Sequence, residues 1–555
     1  MNRNTESHFS YLPTGKFNRS KFHLEHIHKT SFNMADLVPI YFDMSITAGD
    51  THSVKQASVI RMQTPKFPIM DNIYMDIYYF YVPYRILWNH FKDFMGENTT
   101  GPFYSTTEYT IPKMNSGSGV QAKTFFDYIG VPTGIANTEF SDLPIRAYVM
   151  IYNEWFRDQN LIAPYIIRNG DTAPNYDSTS TDPSINGKLL KIAKAHDYFT
   201  SALPEPQKGP AQTISLGTVA PVIGNGMTIG LTDGTNNVGL WNITSSPARL
   251  SATDNQYGTN AGSVTTQGNF ATNNAGLGLT TDSTKSGLIA DLTNATAATI
   301  NAMRWDFAIQ RVLEKDARGG TRYREIMKNH FGVNTGDARV QIPEYLGGKR
   351  IPININQVLQ NTPTSTTPLG QTGAYSCTAD ADFMFTKSFV EPGMIFGIGA
   401  VRQTHTYQQG LNRFLSKSRR FDWYLPTLAY LGEQAILNSE LYCQGLSVIN
   451  SQSNVAYDLE TFGFQERWAE YRYMPSRVSA EMRSNYATSL DSWHLADNYA
   501  NMPILGQQFI EETDTYLKRA IVFQNIDQFW ADFYFENEKV SEMPVYSIPG
   551  LIDHF

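Results

Sequence analysis

Three histidines lie close together near the amino terminus, at His23, His26 and His28. Imidazole is a common ligand of zinc, but a zinc site needs three or four ligands in tetrahedral geometry. The sequence places no cysteine and no second group of histidines near them. We therefore predict no metal site here, and we expect these side chains to belong to a solvated or DNA-facing arm.

Motifs of the common enzyme classes are missing from the sequence. It contains no phosphate-binding GxxxxGK[ST] loop, no HExxH zinc motif and no GxSxG nucleophile motif. Asp380 and Asp382 lack the glycine and the distal glutamate of a calcium loop. Neither Gly319-Gly320 nor Gly347-Gly348 is followed by Lys and Ser/Thr, so we expect helix-capping and turn roles for them. The sequence predicts no enzymatic activity, no catalytic or metal-binding residues and no cofactor.

Two groups of basic residues could contact an anionic partner. The members are Arg318, Arg322, Arg324 and Lys328 in the first group, and Lys417, Arg419 and Arg420, just before Phe421, Trp423 and Tyr424, in the second. Cations beside aromatic rings can bind a single nucleic-acid strand by phosphate neutralisation and base stacking. Arginine is also favoured at protein interfaces, where it pairs with carboxylates. We favour an intersubunit contact for both groups.

The first thirty residues are a better candidate for contact with DNA. Their cations are Arg3, Lys16, Arg19, Lys21 and Lys29, against two carboxylates, Glu6 and Glu25. The whole chain has a net charge of -8, which argues against nucleic-acid binding over the entire surface. A locally basic arm can still neutralise phosphates. These five cations are the predicted DNA-contacting residues.

Residues 207–300 differ in composition from the rest of the chain. They contain few charges and are rich in Thr, Asn, Gly, Ala and Ser, with the isolated aromatic residues Trp241, Tyr257 and Phe270. Such a segment is either disordered or a small β-rich surface module, and the sequence leaves both open. Exposed variable loops on a rigid scaffold often carry binding specificity. The three aromatic residues are candidates for anchoring a binding partner.

The rest of the chain has the pattern of a β protein. Its 40 glycines and 27 prolines break it into short segments, as a sandwich or barrel requires. Strands are predicted at 38–42, 73–82, 383–389, 394–402 and 467–473, and the 73–82 segment is apolar on both faces. A helix is predicted over 143–160, after the possible caps Ser141 and Asp142. A second begins near residue 300 and stops at Gly319-Gly320.

Composition sets broad limits on the class of protein. A hydrophobic fraction of 41% supports a large core, and no apolar run of 18 residues is present to span a membrane. The N-terminal MNRNTESHF has no apolar segment, so we expect no secretory signal. Only Cys377 and Cys443 are present, which excludes a disulfide framework and fits assembly in a reducing cytoplasm.

Several long blocks of sequence carry a family resemblance. The most informative is MRWDFAIQRVLEKDARGGTRYREIMKNHFGV at 303–333, followed by DARVQIPEYLGGKRIPI. The other blocks, in chain order, are HKTSFNMADLVPIYFD (28–43), FPIMDNIYMDIYYFYVPYRILWNHFKDFMGE (67–97), LPIRAYVMIYNEWFRDQNL (143–161), FGFQERWAEYRYMPSRV (462–478) and LDSWHLAD (490–497). Together they resemble the major capsid protein of microviruses, small icosahedral phages with single-stranded DNA, and among them the gokushovirus branch.

The resemblance implies a fold and a set of partners. The fold is all-β: a single eight-stranded antiparallel jelly-roll β-sandwich of the viral capsid type, with long loop insertions and a few short helices. The function is that of a capsid subunit in an icosahedral T=1 shell with one chain per asymmetric unit. The implied partners are other copies of the chain, a circular single-stranded DNA genome, a small basic DNA-binding protein, a DNA-pilot minor capsid protein and a host-cell receptor. Trp241, Tyr257 and Phe270 are then the candidate host-recognition residues. The protein would lie in the virion, after assembly in the cytoplasm of a bacterial host.

Chain length adds a physical argument for assembly. Eight strands of 3 to 10 residues account for at most about 80 residues, so most of the chain is connections. Long loops are anomalous in an isolated domain, but a shell lets them bury apolar side chains against neighbouring subunits. A jelly-roll carbohydrate-binding or hydrolytic protein is the main alternative, and a secreted adhesin would need a signal.

We predict four regions. They are an extended basic N-terminal arm (1–36), a first jelly-roll part with a helical loop insertion (37–206), a surface insertion that the resemblance places in a three-fold protrusion (207–300), and a second jelly-roll part with long loops and a C-terminal extension (301–555).

Overall fold

A computed structural model describes residues 18–98, 107–210, 299–364 and 368–546, together with a few short strands between 222 and 290. The chain divides into two compact units. One contains residues 1–208 and 314–555, and the other contains residues 209–313.

Two four-stranded antiparallel sheets form the centre of the larger unit. Their strands, in chain order, are β1 (Ser20–Phe32), β2 (Val38–Ile46), β3 (Thr51–Met62), β4 (Ile73–Pro83), β5 (Glu344–Pro352), β6 (Thr378–Ser388), β7 (Gly393–Gln403) and β8 (Phe529–Ser541). The first sheet has the order β1-β8-β3-β6 and the second β5-β4-β7-β2. All neighbouring strands in both sheets are antiparallel.

The two sheets pack face to face through apolar and aromatic side chains. Tyr79 of β4 donates a hydrogen bond of 2.6 Å to the Oε1 atom of Gln56 in β3. The rings of Tyr41 and Phe535 lie 5.0 Å apart, and those of Tyr79 and Phe385 5.4 Å apart. Strands β3 and β8 alternate between buried and more exposed positions, so the other face of the first sheet is largely uncovered. Strand β4 is largely buried on both faces, which confirms the interpretation of the 73–82 segment.

In the part of the chain that the structure describes, three helices are longer than two turns. Helix α1 (Leu143–Ile151) continues as a π-helical turn to Phe156 and ends there, short of the predicted residue 160, because Arg157 is extended. Ser141 Oγ accepts a 3.3 Å hydrogen bond from the Leu143 amide, whereas Asp142 makes no capping bond and pairs with Arg146. Helix α2 (Ile300–Gly319) and the turn at Gly320, with φ of +92°, agree with the prediction. Helix α3 (Tyr323–Phe331) follows.

Two local predictions were wrong. The predicted strand at 467–473 is a turn, because Trp468 adopts a left-handed φ of +69° and ends the strand Thr461–Glu466 just before it. The Gly347-Gly348 pair lies inside β5 at a β-bulge and not in a turn. A Cβ atom on Gly348 would lie 2.3 Å from the carbonyl oxygen of Ile77, so only glycine allows this strand to approach β4 so closely.

The long connections hold a second, smaller core. Its buried residues are Tyr198, Phe199, Ala202, Tyr407, Ile436, Leu441, Phe462, Ala469 and Phe509. A strand Glu433–Leu437 pairs there with Thr461–Glu466. The connection between β7 and β8 and residues 198–202 of the connection between β4 and β5 therefore share a packed core outside the two sheets.

The remaining elements are short. The strand pairs are Lys113–Asn115 with Glu139–Ser141, Ile355–Leu359 with Thr372–Ser376, and, in the smaller unit, Val222–Gly224 with Leu288–Ala290 and Gly230–Thr232 with both Asn237–Gly239 and Gly278–Leu279. Single α-helical turns lie at Tyr84–Leu87, Phe91–Phe94, Phe125–Tyr128, Pro183–Asn186, Arg413–Ser416, Asn438–Leu441, Gln507–Ile510 and Thr515–Ala520. Turns of 3-10 helix lie at Arg420–Asp422, Pro426–Leu428, Tyr457–Leu459, Ala469–Tyr471, Ala480–Met482 and Asp491–Trp493. Among the described residues, no helix combines the length and apolar character needed to cross a membrane.

Candidate functional site

Strand β1 carries most of the described part of the predicted DNA-contacting arm. It forms the outer strand of the first sheet and pairs along its whole length with β8. Lys21 and Lys29 are exposed and two-residue alternation places them on the same face of β1. Arg19 is exposed just before the strand. Arg3 and Lys16 lie outside the described residues.

The cations of this arm differ in their partners. Lys21 Nζ lies 2.8 Å from a carboxylate oxygen of Glu538 on β8, and the hydrogen bond from Lys21 lowers the pKa of Glu538. Within the described ranges, Arg19 and Lys29 form no ion pair. A phosphate group can therefore approach Arg19 and Lys29 without displacing a carboxylate, whereas at Lys21 it must compete with Glu538.

The three histidines do not come together. His23 lies on the exposed face, where its Nε2 is 2.6 Å from Glu25. His26 and His28 lie on the opposite face. The His26 ring stacks on Phe535 at 5.0 Å, burial lowers the His26 pKa, and His28 donates a 2.8 Å hydrogen bond from Nδ1 to the Ile40 carbonyl.

His23 has two further carboxylates nearby, those of Glu536 and Glu538, and one ligand atom of each of the three residues lies within 4.8 Å of the others. Lys55 lies 3.1 Å from Glu536, and Lys21 pairs with Glu538. Because a lysine already neutralises each carboxylate, we assign the cluster to cross-strand ion pairing.

The basic group around Gly319-Gly320 makes its ion pairs inside the chain. Arg318 pairs with Glu433, Arg322 with Glu325 at 3.2 Å, and Arg324 with Asp337 at 3.4 Å. The guanidinium carbon of Arg324 also lies 3.9 Å from the centre of the Trp155 ring. The arginines do pair with carboxylates, as the intersubunit interpretation requires, but these carboxylates belong to the same chain.

In the second basic group, Lys417 is enclosed by aromatic rings. Its Nζ lies 2.7 Å from Glu470, and its side chain is 4% exposed. The surrounding rings, at 4.5 to 5.6 Å, are those of Phe414, Trp423, Trp468 and Tyr471. Cation–π attraction and the ion pair together compensate the loss of hydration of the ammonium group. Lys417 thus joins loops within one chain, while Arg419 and Arg420 remain exposed.

A buried charged network joins β7 to the loops that follow it. His405 contacts Asp497 through Nδ1 at 2.8 Å and Glu512 through Nε2 at 3.1 Å, and its side chain is 1% exposed. Burial disfavours the protonated ring, but the two carboxylates outweigh it and raise the His405 pKa to about 10. Burial likewise disfavours ionised Asp497, yet His405 and Lys194 lower its pKa to about 2. With no exposed reacting atom, this network is suited to fixing loops in place.

The predicted host-recognition residues Trp241, Tyr257 and Phe270 lie outside the described residues. Both cysteines are free: Cys377 is half-buried, and Cys443 donates a 3.2 Å hydrogen bond to Asp458.

Two stacked four-stranded antiparallel sheets with loops far longer than the strands are consistent with the all-β architecture of viral capsid proteins, which lectin domains also use. Comparison with known proteins identifies the family. The family model described as "Capsid protein (F protein)" matches residues 10–551. The chain belongs to this phage capsid protein family.

Individual relatives are similar to this chain over nearly their full length. The chain is 38% identical to "Capsid protein VP1" of Chlamydia phage 1, with 98% of each chain covered. It is 39% identical to "Capsid protein VP1" of Bdellovibrio phage phiMH2K, covering 100% of this chain and 99% of the relative. Identity to "Capsid protein VP1" of Spiroplasma virus 4 is 35%, with 98% and 97% covered. The resemblance to microviral major capsid proteins that the sequence blocks indicated is confirmed.

Proposed function

We propose that the protein assembles into a closed icosahedral shell with one chain per asymmetric unit. The pairing of the eight strands supports a single jelly roll as the building block. The four pairs β1–β8, β2–β7, β3–β6 and β4–β5 follow one rule, in which the first strand pairs with the last and the order continues inwards. This is the arrangement expected when one long antiparallel ribbon rolls into two facing sheets.

The connections support assembly by a separate argument. They carry large apolar side chains that one chain leaves exposed, among them Ile166, Leu415, Tyr430, Met474 and Ile504. An isolated soluble protein rarely exposes large contiguous apolar patches. Subunit contacts in a shell remove such side chains from water, and this gain drives association.

The proposed cargo is a circular single-stranded DNA genome, contacted by the basic arm. The supporting observation is that Arg19 and Lys29 are exposed and form no ion pair within the described part of the chain. A small basic DNA-binding protein and a DNA-pilot minor capsid protein are the proposed co-packaged partners, from the family resemblance. The role of the chain is structural and not catalytic.

Residues 207–300 are the proposed site of attachment to a host-cell receptor, with Trp241, Tyr257 and Phe270 as anchors. The support is compositional: the segment is polar, poor in charge and carries isolated aromatic residues. A solvated spacer without a partner is the alternative, and adsorption to host cells distinguishes the two.

Electron microscopy of the protein from phage-producing cells tests the proposed function. Negative staining should reveal closed, uniform particles, and nuclease treatment should leave single-stranded DNA protected inside them. Folded protein that forms only small oligomers, or shells whose DNA is always digested, would contradict the proposal.

A further inference from the structure

Large aromatic and aliphatic side chains are exposed in the connection between β7 and β8. We call the exposed set Phe421, Trp423, Tyr424, Tyr430 and Met474 the aromatic platform. Phe421 is 64% exposed, Tyr430 98% and Met474 94%. Exposure of such apolar side chains to water is unfavourable, so burying them against a partner would stabilise the complex.

The platform rests on a rigid support. Trp423 contributes one wall of the cage around Lys417. The ring of Tyr424 packs edge-on against Trp468 at 5.6 Å, and the Tyr424 amide donates a 3.2 Å hydrogen bond to the Tyr471 hydroxyl. Trp468 also donates a 2.9 Å hydrogen bond to the Leu428 carbonyl, two residues before Tyr430. A preorganised surface loses little conformational entropy when a partner binds.

Four arginines lie near members of the platform: Arg419 and Arg420 precede Phe421 in the chain, and Arg477 and Arg483 line one cavity with Met474. Arg419, Arg420, Arg477 and Arg483 are exposed, and none forms an ion pair within the described residues. Of the nearby carboxylates, Glu440 and Glu470 are buried and paired with Arg413 and Lys417, whereas Asp422 and Glu481 lie in the same two segments as the arginines and are not buried. The four arginines outnumber these two carboxylates, so the region carries a net positive charge, although the whole chain has a net charge of -8.

We propose that the aromatic platform is a contact surface for a second copy of this chain. The inference rests on the proposed function, in which many copies build one shell, and it names a surface that they use. A copy of an acidic chain complements a basic surface, and this charge complementarity speeds association and fixes its orientation. Aromatic residues, methionine and arginine are also the residue types enriched at the centres of protein interfaces.

Single-stranded DNA is the competing occupant, because cations beside aromatic rings also bind nucleic acid. The aliphatic side chains favour a protein partner. Met474 and the neighbouring Leu415, which is 76% exposed, offer no ring on which a base can stack. Packing of these two side chains against other apolar groups, as in the core of a protein interface, is what would stabilise a complex.

A photo-reactive side chain at position 430 tests the proposal directly. The full chain carrying benzoylphenylalanine in place of Tyr430 is assembled, and closed particles are first confirmed by microscopy. Irradiation should then join two copies of the chain covalently, and the same irradiation of dissociated subunits should not. Closed particles in which position 430 is joined to DNA, to another virion protein or to nothing would overturn the proposal. Failure of the proposed function would be recognised earlier, as the absence of closed particles from the unsubstituted protein.

A pair of variants covers the case in which the photo-reactive chain does not assemble. Tyr430→Ser with Met474→Ser should raise the subunit concentration needed for shell formation about 30-fold, the effect of losing one interface hot spot. The matched control is Val390→Ser, in the turn between β6 and β7, where the side chain is 87% exposed and lies outside the β7–β8 connection that carries the platform. Near-ultraviolet circular dichroism checks that both variants are folded. A folded double variant that assembles at the same concentration as the control would overturn the proposal.

Discussion

Lys21 at the start of β1 forms an ion pair of 2.8 Å with Glu538 near the end of β8. Opposite charges therefore join the first and the last of the eight strands, which are neighbours in the first sheet. The same pair removes one cation from those that the sequence offered for DNA contact. Lys29, eight residues further along β1, has no such partner among the described residues.

Lys29→Ser should weaken DNA binding more than the matched Lys21→Ser. Each phosphate neutralised on a single strand contributes about -0.7 to the slope of log K against log salt. Losing Lys29 should make the slope shallower by about 0.7, whereas losing Lys21 should change it less because Glu538 already competes for that ammonium group. Titration of dissociated subunits with a single-stranded oligonucleotide at several salt concentrations measures both. Equal slopes for the two variants would show that the ion pair does not control DNA contact.

Replacement of Lys16, Arg19, Lys21 and Lys29 together by Ser should lower genome retention while empty shells still assemble. The five cations of the arm can neutralise at most five phosphates, so the slope for the unsubstituted arm should be about -3.5 or shallower. The ratio of absorbance at 260 and 280 nm in purified particles gives the DNA content. An unchanged DNA content would show that the arm does not hold the genome.

His405→Gln should destabilise the folded chain at neutral pH by about 3–5 kcal/mol, because it leaves the buried Glu512 without its cation and the buried Asp497 with Lys194 as its remaining cationic partner. The His405 pKa is raised from 6.5 to about 10 by folding. Its stabilising contribution is therefore complete below about pH 6.5 and is lost as pH rises through 10. Urea unfolding at pH 6 and pH 10 should reveal a fall in stability for the unsubstituted chain that is smaller in the variant. The same pH dependence in both chains would contradict this role.

Gly348→Ala should destabilise the sandwich by about 1–3 kcal/mol or more, because the new methyl group would collide with the Ile77 carbonyl in the neighbouring strand. Gly373→Ala is the matched control, since its Cβ would meet nothing closer than the Val358 carbonyl at 3.9 Å. Thermal unfolding of the two variants should separate them clearly. Equal midpoints would mean that β5 shifts away from β4 at little cost.

The sequence predicted the two most deeply buried strands, β4 and β7. Strand β4 was predicted to be covered on both faces, and β7 was predicted from its β-branched and aromatic residues; nearly all side chains of both strands are apolar and buried. Strand β3 was missed because its buried face contains His52, Gln56 and Ser58, and β8 was missed because Asn537 and Lys539 lie inside. These polar residues interrupt the alternation on which strand prediction depends, and their partners lie on strands distant in sequence.

The candidate site was predictable only in part. Local charge identified the arm, but the ion pair of Lys21 depends on β8, more than 500 residues away in the chain. The cage around Lys417 likewise joins Phe414 and Trp423 with Trp468 and Tyr471, and no local sequence pattern predicts a contact between these two segments. The strand predicted at 467–473 failed for the same reason, since the left-handed conformation of Trp468 is set by its packing and not by its propensity.

Replacement of residues 210–295 by a short Gly-Ser linker should give closed particles that contain DNA but do not adsorb to host cells. Loop closure entropy changes slowly with length, so the two sheets should fold without the segment. Adsorption of radiolabelled particles to host cells measures the effect. Normal adsorption would contradict the proposal that this segment recognises the host cell. Failure to form shells would show instead that the segment makes contacts between subunits.

Sedimentation of the native protein from phage-producing cells tests the central claim, that this chain is a shell subunit. The account predicts a fast, narrow boundary of closed particles containing many copies of the chain, converted to slow subunits only when the shell is dissociated. A folded chain that sediments solely as a monomer or dimer under native conditions would contradict it.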